Sequence, residues 1–297
     1  SCPCHQMKGH TENPLWLLKP VRLFVNQNCH RNRELVCCHL SPTAFLQEFP
    51  YRPQSQFRAF EQHLHHNLTE TLCLRQSCCR NLRQAFRECC FIWPLNLPDG
   101  IEEIEYGCFE ECRYLYGNLI LPSHLKKMGT YAFSGCMGLK GDLVIPKSLT
   151  VIPEGAFRSC WLGGRLQLHD GITTIEGSAF SANGFIGELE LPKSLTKLDG
   201  ENFVGNNFSG SLKIPKGLTS FSYEAFAYNT FAGEVEIPDG VTYINKSAFA
   251  ESEKLQKIIL PSELVLIDDY AFENCKSLRV IECKSTVPPL VNDGAFN

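Results

Sequence analysis

From about residue 84 to the C-terminus the chain repeats one arrangement of apolar and polar positions every 23 to 24 residues. Each unit opens with an apolar–x–apolar run, seen as Leu95–Leu97, Leu119–Leu121, Leu143–Ile145, Leu166–Leu168, Leu189–Leu191, Leu212–Ile214, Val235–Ile237 and Ile258–Leu260. Alternation of this kind predicts a short half-buried strand. The run closes on Pro98, Pro122, Pro146, His169, Pro192, Pro215, Pro238 or Pro261, and proline ends a strand because it has no N–H to give a ladder. Three and six residues on come two inward aliphatics, as in Leu149 and Ile152 or Val241 and Ile244. Eleven residues on comes Phe: Phe109, Phe133, Phe157, Phe180, Phe203, Phe226, Phe249 and Phe272, with Phe86 and Phe296 in the same register. Ala usually precedes it. No unit has the period of a long amphipathic helix, so the return side is expected to be turns or a single helical turn around Ala-Phe. One such unit cannot offset its own ordering entropy, but stacked units share a core. The predicted fold is a solenoid, a parallel β-sheet superhelix.

Two columns follow from that register. Three residues after each Phe stand Cys89, Cys112, Cys136, Cys160, Asn183, Asn206, Asn229, Ser252 and Cys275. A coil that turns this sharply leaves backbone groups that cannot reach water, and an inward thiol, amide or hydroxyl can satisfy them. The middle residue of each strand run alternates away from the core, so Asn96, Ile120, Val144, Gln167, Glu190, Lys213, Glu236 and Ile259 are expected to form one outward column across the sheet. Glu190, Lys213 and Glu236 would fall on successive rungs, where opposite charges can pair. Glu188 and Glu234 add charge two residues earlier in their strands, and Ile120 and Val144 add an apolar stretch. A charged field beside an apolar patch suits a protein-binding face, although ordinary solvated sheet would show the same mixture.

Composition divides the chain. Residues 1–98 contain no Asp, one Gly and one Ile, yet hold ten of the sixteen Cys and seven of the nine His. They carry eleven basic residues against six acidic, about +5, and the remainder carries seventeen against twenty-six, about −9. The expected organisation is an atypical Cys/His-rich segment over 1–71 and a repeat domain over 72–297, whose first repeat is degenerate and whose last is incomplete. No apolar run is long enough to span a bilayer, and the overall charge of −4 gives no reason to expect a nucleic-acid partner.

The run Leu143-x-Ile145-Pro146-Lys147-Ser148-Leu149-Thr150-x-Ile152-x-x-x-Ala156-Phe157-x-x-Cys160 resembles the BspA-like leucine-rich repeats, and the resemblance extends over residues 84–297. It implies a bacterial or protist cell-surface protein that attaches to host proteins or other cells. It brings no catalytic residues and no cofactor. The alternatives in other classes are an intracellular interaction scaffold on the same solenoid, which the thiol-rich column would tolerate in the cytoplasm, and the repeat domain of a larger surface enzyme.

The remaining chemistry is sparse. Cys2, Cys4, His5, Cys29, His30, Cys37, Cys38 and His39 include zinc-ligand types, but the gaps match no usual site and no metal is predicted. A disulfide framework through Cys2, Cys4, Cys29, Cys37, Cys38, Cys73, Cys78 and Cys79, a poorly folded leader, and a wrong reading frame over part of 1–80 are the competing readings of that segment. Cys108 and Cys283 lie off the column and are the better candidates for a free or paired thiol, one or the other expected to react faster than the buried column. His124 and His169 sit in strand-ending turns without a nucleophile or acid partner in any catalytic motif. Glycosylation sequons begin at Asn67, Asn207 and Asn245, the last two expected on coil exteriors.

Overall fold

The computed structural model describes residues 83–89, 92 and 94–297, with the backbone of Leu72–Cys73. The Cys/His-rich segment, its zinc and disulfide readings and the Asn67 sequon lie outside the described residues. The repeat region is a β-solenoid of about eight turns. All its strand pairs are parallel. The degenerate first repeat joins it, Leu72 pairing with Leu95 and Cys73 with Asn96.

Each coil has three sides. The first carries the alternating segments: Leu143 and Leu166 pair, as do Val235 and Ile258, and their side chains are buried between exposed neighbours. Regular pairing is less continuous than the pattern predicts. Leu119–Leu121 alternates in burial, with Ile120 exposed between buried Leu119 and Leu121, yet forms no ladder, and the 189–191 and 212–214 runs contribute isolated bridges. At the corner, the proline carbonyl accepts from the N–H three residues on, as in Leu149 to Pro146 and Leu195 to Pro192. His169 replaces the proline without loss: its Nε2 lies 3.1 Å from the carbonyls of Pro146 and Leu149, and its Nδ1 accepts from Gly171 N–H.

The second side is a second parallel sheet of two-residue strands, among them Glu103–Ile104, Lys127–Met128, Val151–Ile152, Thr174–Ile175, Lys197–Leu198, Tyr243–Ile244 and Leu266–Ile267. It holds the sixth-position aliphatics inward and is absent from the sequence-based expectation as a sheet. The third side is turns, with no helix. Two residues before and two after each Phe the backbone is left-handed, at Tyr131, Ser178, Glu201, Glu224 and Tyr270 before it and at Glu111, Ser159, Ala182, Tyr228 and Glu251 after it. Such conformations cost about 1–2 kcal/mol per non-glycine residue. They are offset here by a regular return: the N–H groups of Tyr131, Phe133 and Gly135 donate to Glu154, Ala156 and Arg158 of the next coil, and Glu201, Phe203 and Gly205 donate to Tyr223, Ala225 and Ala227.

The phenylalanines form one buried stack. Ring centroids of successive members from Phe109 to Phe272 lie 5.2–5.9 Å apart, within the range of offset-stacked pairs. Phe185, Phe208 and Phe231 make a shorter second stack beside it.

Coils approach closely enough to exclude a methyl group at some glycines. A Cβ on Gly164 would sit 2.3 Å from Gly141 C and 2.5 Å from Asp142 N, whereas one on Gly177 would meet only Gly200 O at 3.6 Å. Gly164→Ala is therefore expected to destabilise the protein by about 1–3 kcal/mol, the usual cost of overpacking, and Gly177→Ala to leave it nearly unchanged. Thermal melts of both variants check this; equal melting temperatures would show that the first side is looser than described.

Candidate functional site

The inward column is a hydrogen-bond ladder with one rule. Each member reaches the carbonyl of the Phe in the preceding coil: Cys112 Sγ to Phe86 O at 2.7 Å, Cys136 to Phe109 O at 3.0 Å, Cys160 to Phe133 O at 2.9 Å, and Cys275 to Phe249 O at 3.3 Å. The amides do the same and more. Asn206 Nδ2 donates to Phe180 O and Phe203 O, both at 3.0 Å, and its Oδ1 accepts from Phe185 N–H at 3.0 Å. Asn229 repeats this pattern, and Asn183 Nδ2 reaches Phe157 O at 2.8 Å while its buried Oδ1 has no partner. Ser252 is the exception, since its fully buried hydroxyl has no hydrogen-bond partner. Cys89, at the start, is half-buried.

Burial holds these thiols protonated. It pushes Cys160 and Cys275 up to about 12 and Cys136 well above the ordinary thiol value. A thiol that stays neutral at physiological pH is a poor nucleophile and a poor metal ligand. Among the described residues no three His, Cys, Asp or Glu side chains converge on a possible metal position, and no helix is long and apolar enough to cross a membrane.

Cys108 corrects an expectation. It is 1% exposed because it stands immediately before Phe109, in the column that Ala132, Ala156 and Ala179 occupy in other coils. Asn202, before Phe203, fills the same inward position and was missed by the sequence reasoning; it is fully buried and donates to Ile175 O and Asp199 O while accepting from Ala179 N–H. The signal for both was their place in the alanine column. Cys283 is exposed, as expected. Asn207 is also exposed, but Asn245 is half-buried, with its amide donating to Phe221 O at 2.8 Å.

On the outside, the first sheet brings the predicted column together in part. Val144 pairs with Gln167, and Lys213 bridges both Glu190 and Glu236 through the backbone. Ile120 and Val144 are 75% and 53% exposed, and Asn96, Gln167, Glu190, Lys213 and Glu236 are exposed as well. Ile259 departs from the expectation at 9% exposure. It lies between Glu236 and Glu282, and Lys284, beyond Glu282, crosses its rung to meet Glu236 at 2.7 Å.

Ion pairing divides this face. Toward the C-terminal end Lys257 bridges Glu234 at 3.1 Å and Glu282 at 2.9 Å, and Lys284 holds Glu236 well enough to lower its carboxyl below the usual range. Glu188, Glu190 and Lys213 make no ion pair among the described residues, so the expected Glu190–Lys213–Glu236 pairing is a backbone relation only.

Comparison with known proteins agrees with this geometry. A model of the BspA-type leucine-rich repeat region matches residues 82–209 and 203–297, in six copies. The chain belongs to the BspA-type leucine-rich repeat family. A leucine-rich repeat protein from Bacteroides ovatus has the same fold, with 23% identity and a TM-score of 0.58 over 75% of this chain; the chain spans 63% of that protein's length. A leucine-rich cell surface protein from Faecalibacterium prausnitzii is 19% identical over 73% of this chain and 83% of its own, with a TM-score of 0.35. No curated protein matches the sequence.

Two measurements test the ladder of this BspA-type chain. Asn206→Leu should cost on the order of 2 kcal/mol by leaving the buried Phe185 N–H unpaired and removing one of the two amide donors at Phe180 O and at Phe203 O, while Lys216→Ala on the exposed corner should be nearly silent; matching thermal unfolding curves would overturn the assignment. Under native conditions an alkylating reagent should modify Cys283 quickly and Cys108, Cys136 and Cys160 only on unfolding. Peptide mass mapping reads the order, and early labelling of Cys136 would contradict the burial described.

Proposed function

We propose that this chain is a non-catalytic module that binds a partner protein through the outward column of its first sheet, and that it does so at the cell surface in adhesion or host recognition. The observation that carries the reading is the division of that face. Ile120 and Val144 present apolar surface to water, and beside them Glu188, Glu190 and Lys213 are uncommitted, whereas the charges around Ile259 are already paired with one another. Exposed aliphatics next to unpaired charges can give up water to a partner at little cost and gain oriented ion pairs. A rigid parallel sheet holds those groups at fixed spacing, as a repeat surface for recognition requires. Family membership supports the placement outside the cell.

The test is a comparison of the parent with the double variant Val144→Asp, Lys213→Glu, each immobilised and exposed to a solubilised host-cell surface fraction. Proteins retained by the parent should be retained at least about ten-fold less by the variant, which corresponds to about 1.4 kcal/mol, with the melting temperature little changed. Equal retention would move the site away from this column, to the turn side or the coil corners.

A further inference from the structure

Six successive members of the inward ladder, from Cys112 to Asn229, and then Cys275 bind the Phe carbonyl behind them, and the one between that does not, Ser252, lies at the contact between the Phe226 and Phe249 coils. The second sheet fails at the same contact. Asp199, Asp268 and Asn292 each donate a backbone N–H to the aliphatic residue of the preceding coil, but at Asn245 the side-chain amide takes that role toward Phe221 O, and no backbone pairing joins Phe221 to Ile244. The only other gap in that sheet among the described coils between residues 103 and 291 is at Pro153, which has no N–H to give; there the ladder bond from Cys160 is intact. The first sheet stays joined across the Phe226 and Phe249 coils, through the isolated Lys213–Glu236 bridge and the pairings of Gly233 with Leu255 and Glu234 with Lys257.

The cause is visible in the sequence. Phe221 stands where other coils carry Ile, Leu, Met or Val, and its ring meets both Phe226 and Phe249 edge-on, each at 5.8 Å. It acts as a wedge. Phe226 and Phe249 are inclined by 17°, against 1–8° for the other successive pairs from Phe109 to Phe296. A polar depression bordered by Ser222, Tyr223, Asn245 and Lys246 opens on the second-sheet side. The turn side is unbroken, with Glu224, Phe226 and Tyr228 donating to Lys246, Ala248 and Ala250.

We propose that the contact between the Phe226 and Phe249 coils is a built-in joint at which the solenoid opens, its second-sheet side parting first and the turn-side hydrogen bonds releasing with it. Stability in a stacked array is a sum of contacts between neighbours, so a contact missing a ladder bond and a strand rung is where opening concentrates. The joint crosses the outward column between Lys213 and Glu236, and its motion changes the angle between the uncommitted charges and the paired ones.

Hydrogen exchange at residue resolution on the whole chain tests this. The amides of Glu224, Phe226 and Tyr228, bonded across the joint, should exchange at least about ten-fold faster than those of Glu201, Phe203 and Gly205, which make the same bonds one coil earlier. Ser252→Asn, which restores the ladder residue of the preceding coils, and Phe221→Leu, which removes the wedge, should each slow the first set and leave the second unchanged. Equal exchange of the two sets in the parent overturns the joint. So does faster exchange that neither variant slows, because the missing bond and the wedge would then not be its cause.

Discussion

The carbonyl of each core phenylalanine is the constraint on which the rest of the coil depends. It points along the stack, away from solvent, at the place where the chain turns most tightly. It accepts one donor from its own coil, the backbone N–H of Cys112 at Phe109 O and of Cys136 at Phe133 O or the amide of Asn206 at Phe203 O, and has room for a second from the coil that follows. The side chain three residues after the next Phe supplies that second donor, and Cys and Asn both serve because the requirement is a short inward side chain with a hydrogen to give. Asn also ties down Phe185 or Phe208 N–H, which a thiol cannot do. The second aromatic stack, Phe185 to Phe231, begins in the coil where the ladder changes from Cys to Asn.

Because that internal accounting is closed within the backbone and the two inward columns, the outer side chains are released from structural duty. Solvent-side residues on the first sheet vary from Ile to Glu to Lys along a nearly constant scaffold. Some of them nevertheless recombine. The lysines at 257 and 284 tie three strands together around Ile259, which is buried.

Much of this was legible in the sequence because the repeat reports the same position many times. The inward Phe, the ladder and the alternation at Ile120 and Val144 were each readable from their columns. The second sheet was not, since two residues per coil are too few to show a period. Ile259 was misplaced: it sits among charges that pair across neighbouring coils, an arrangement no periodicity encodes. Cys108 was misjudged by its residue type when its column, filled elsewhere by Ala, already placed it inside. The left-handed turn residues were hidden for a different reason: Tyr, Glu and Ser occupy most of them, and the hydrogen bonds that make this tolerable exist only between coils.

Those turn-side bonds all run one way. From Gln84 to Asn274 the N–H groups flanking each Phe donate forward to the following coil and none donates back. The small dipoles therefore add along the stack instead of cancelling, as they do in a helix. One end of any block of coils presents donors on this side and the other presents acceptors. A further coil, or a second block, can dock there head to tail but not head to head, so this face has a built-in polarity of growth that is independent of every side chain on the surface.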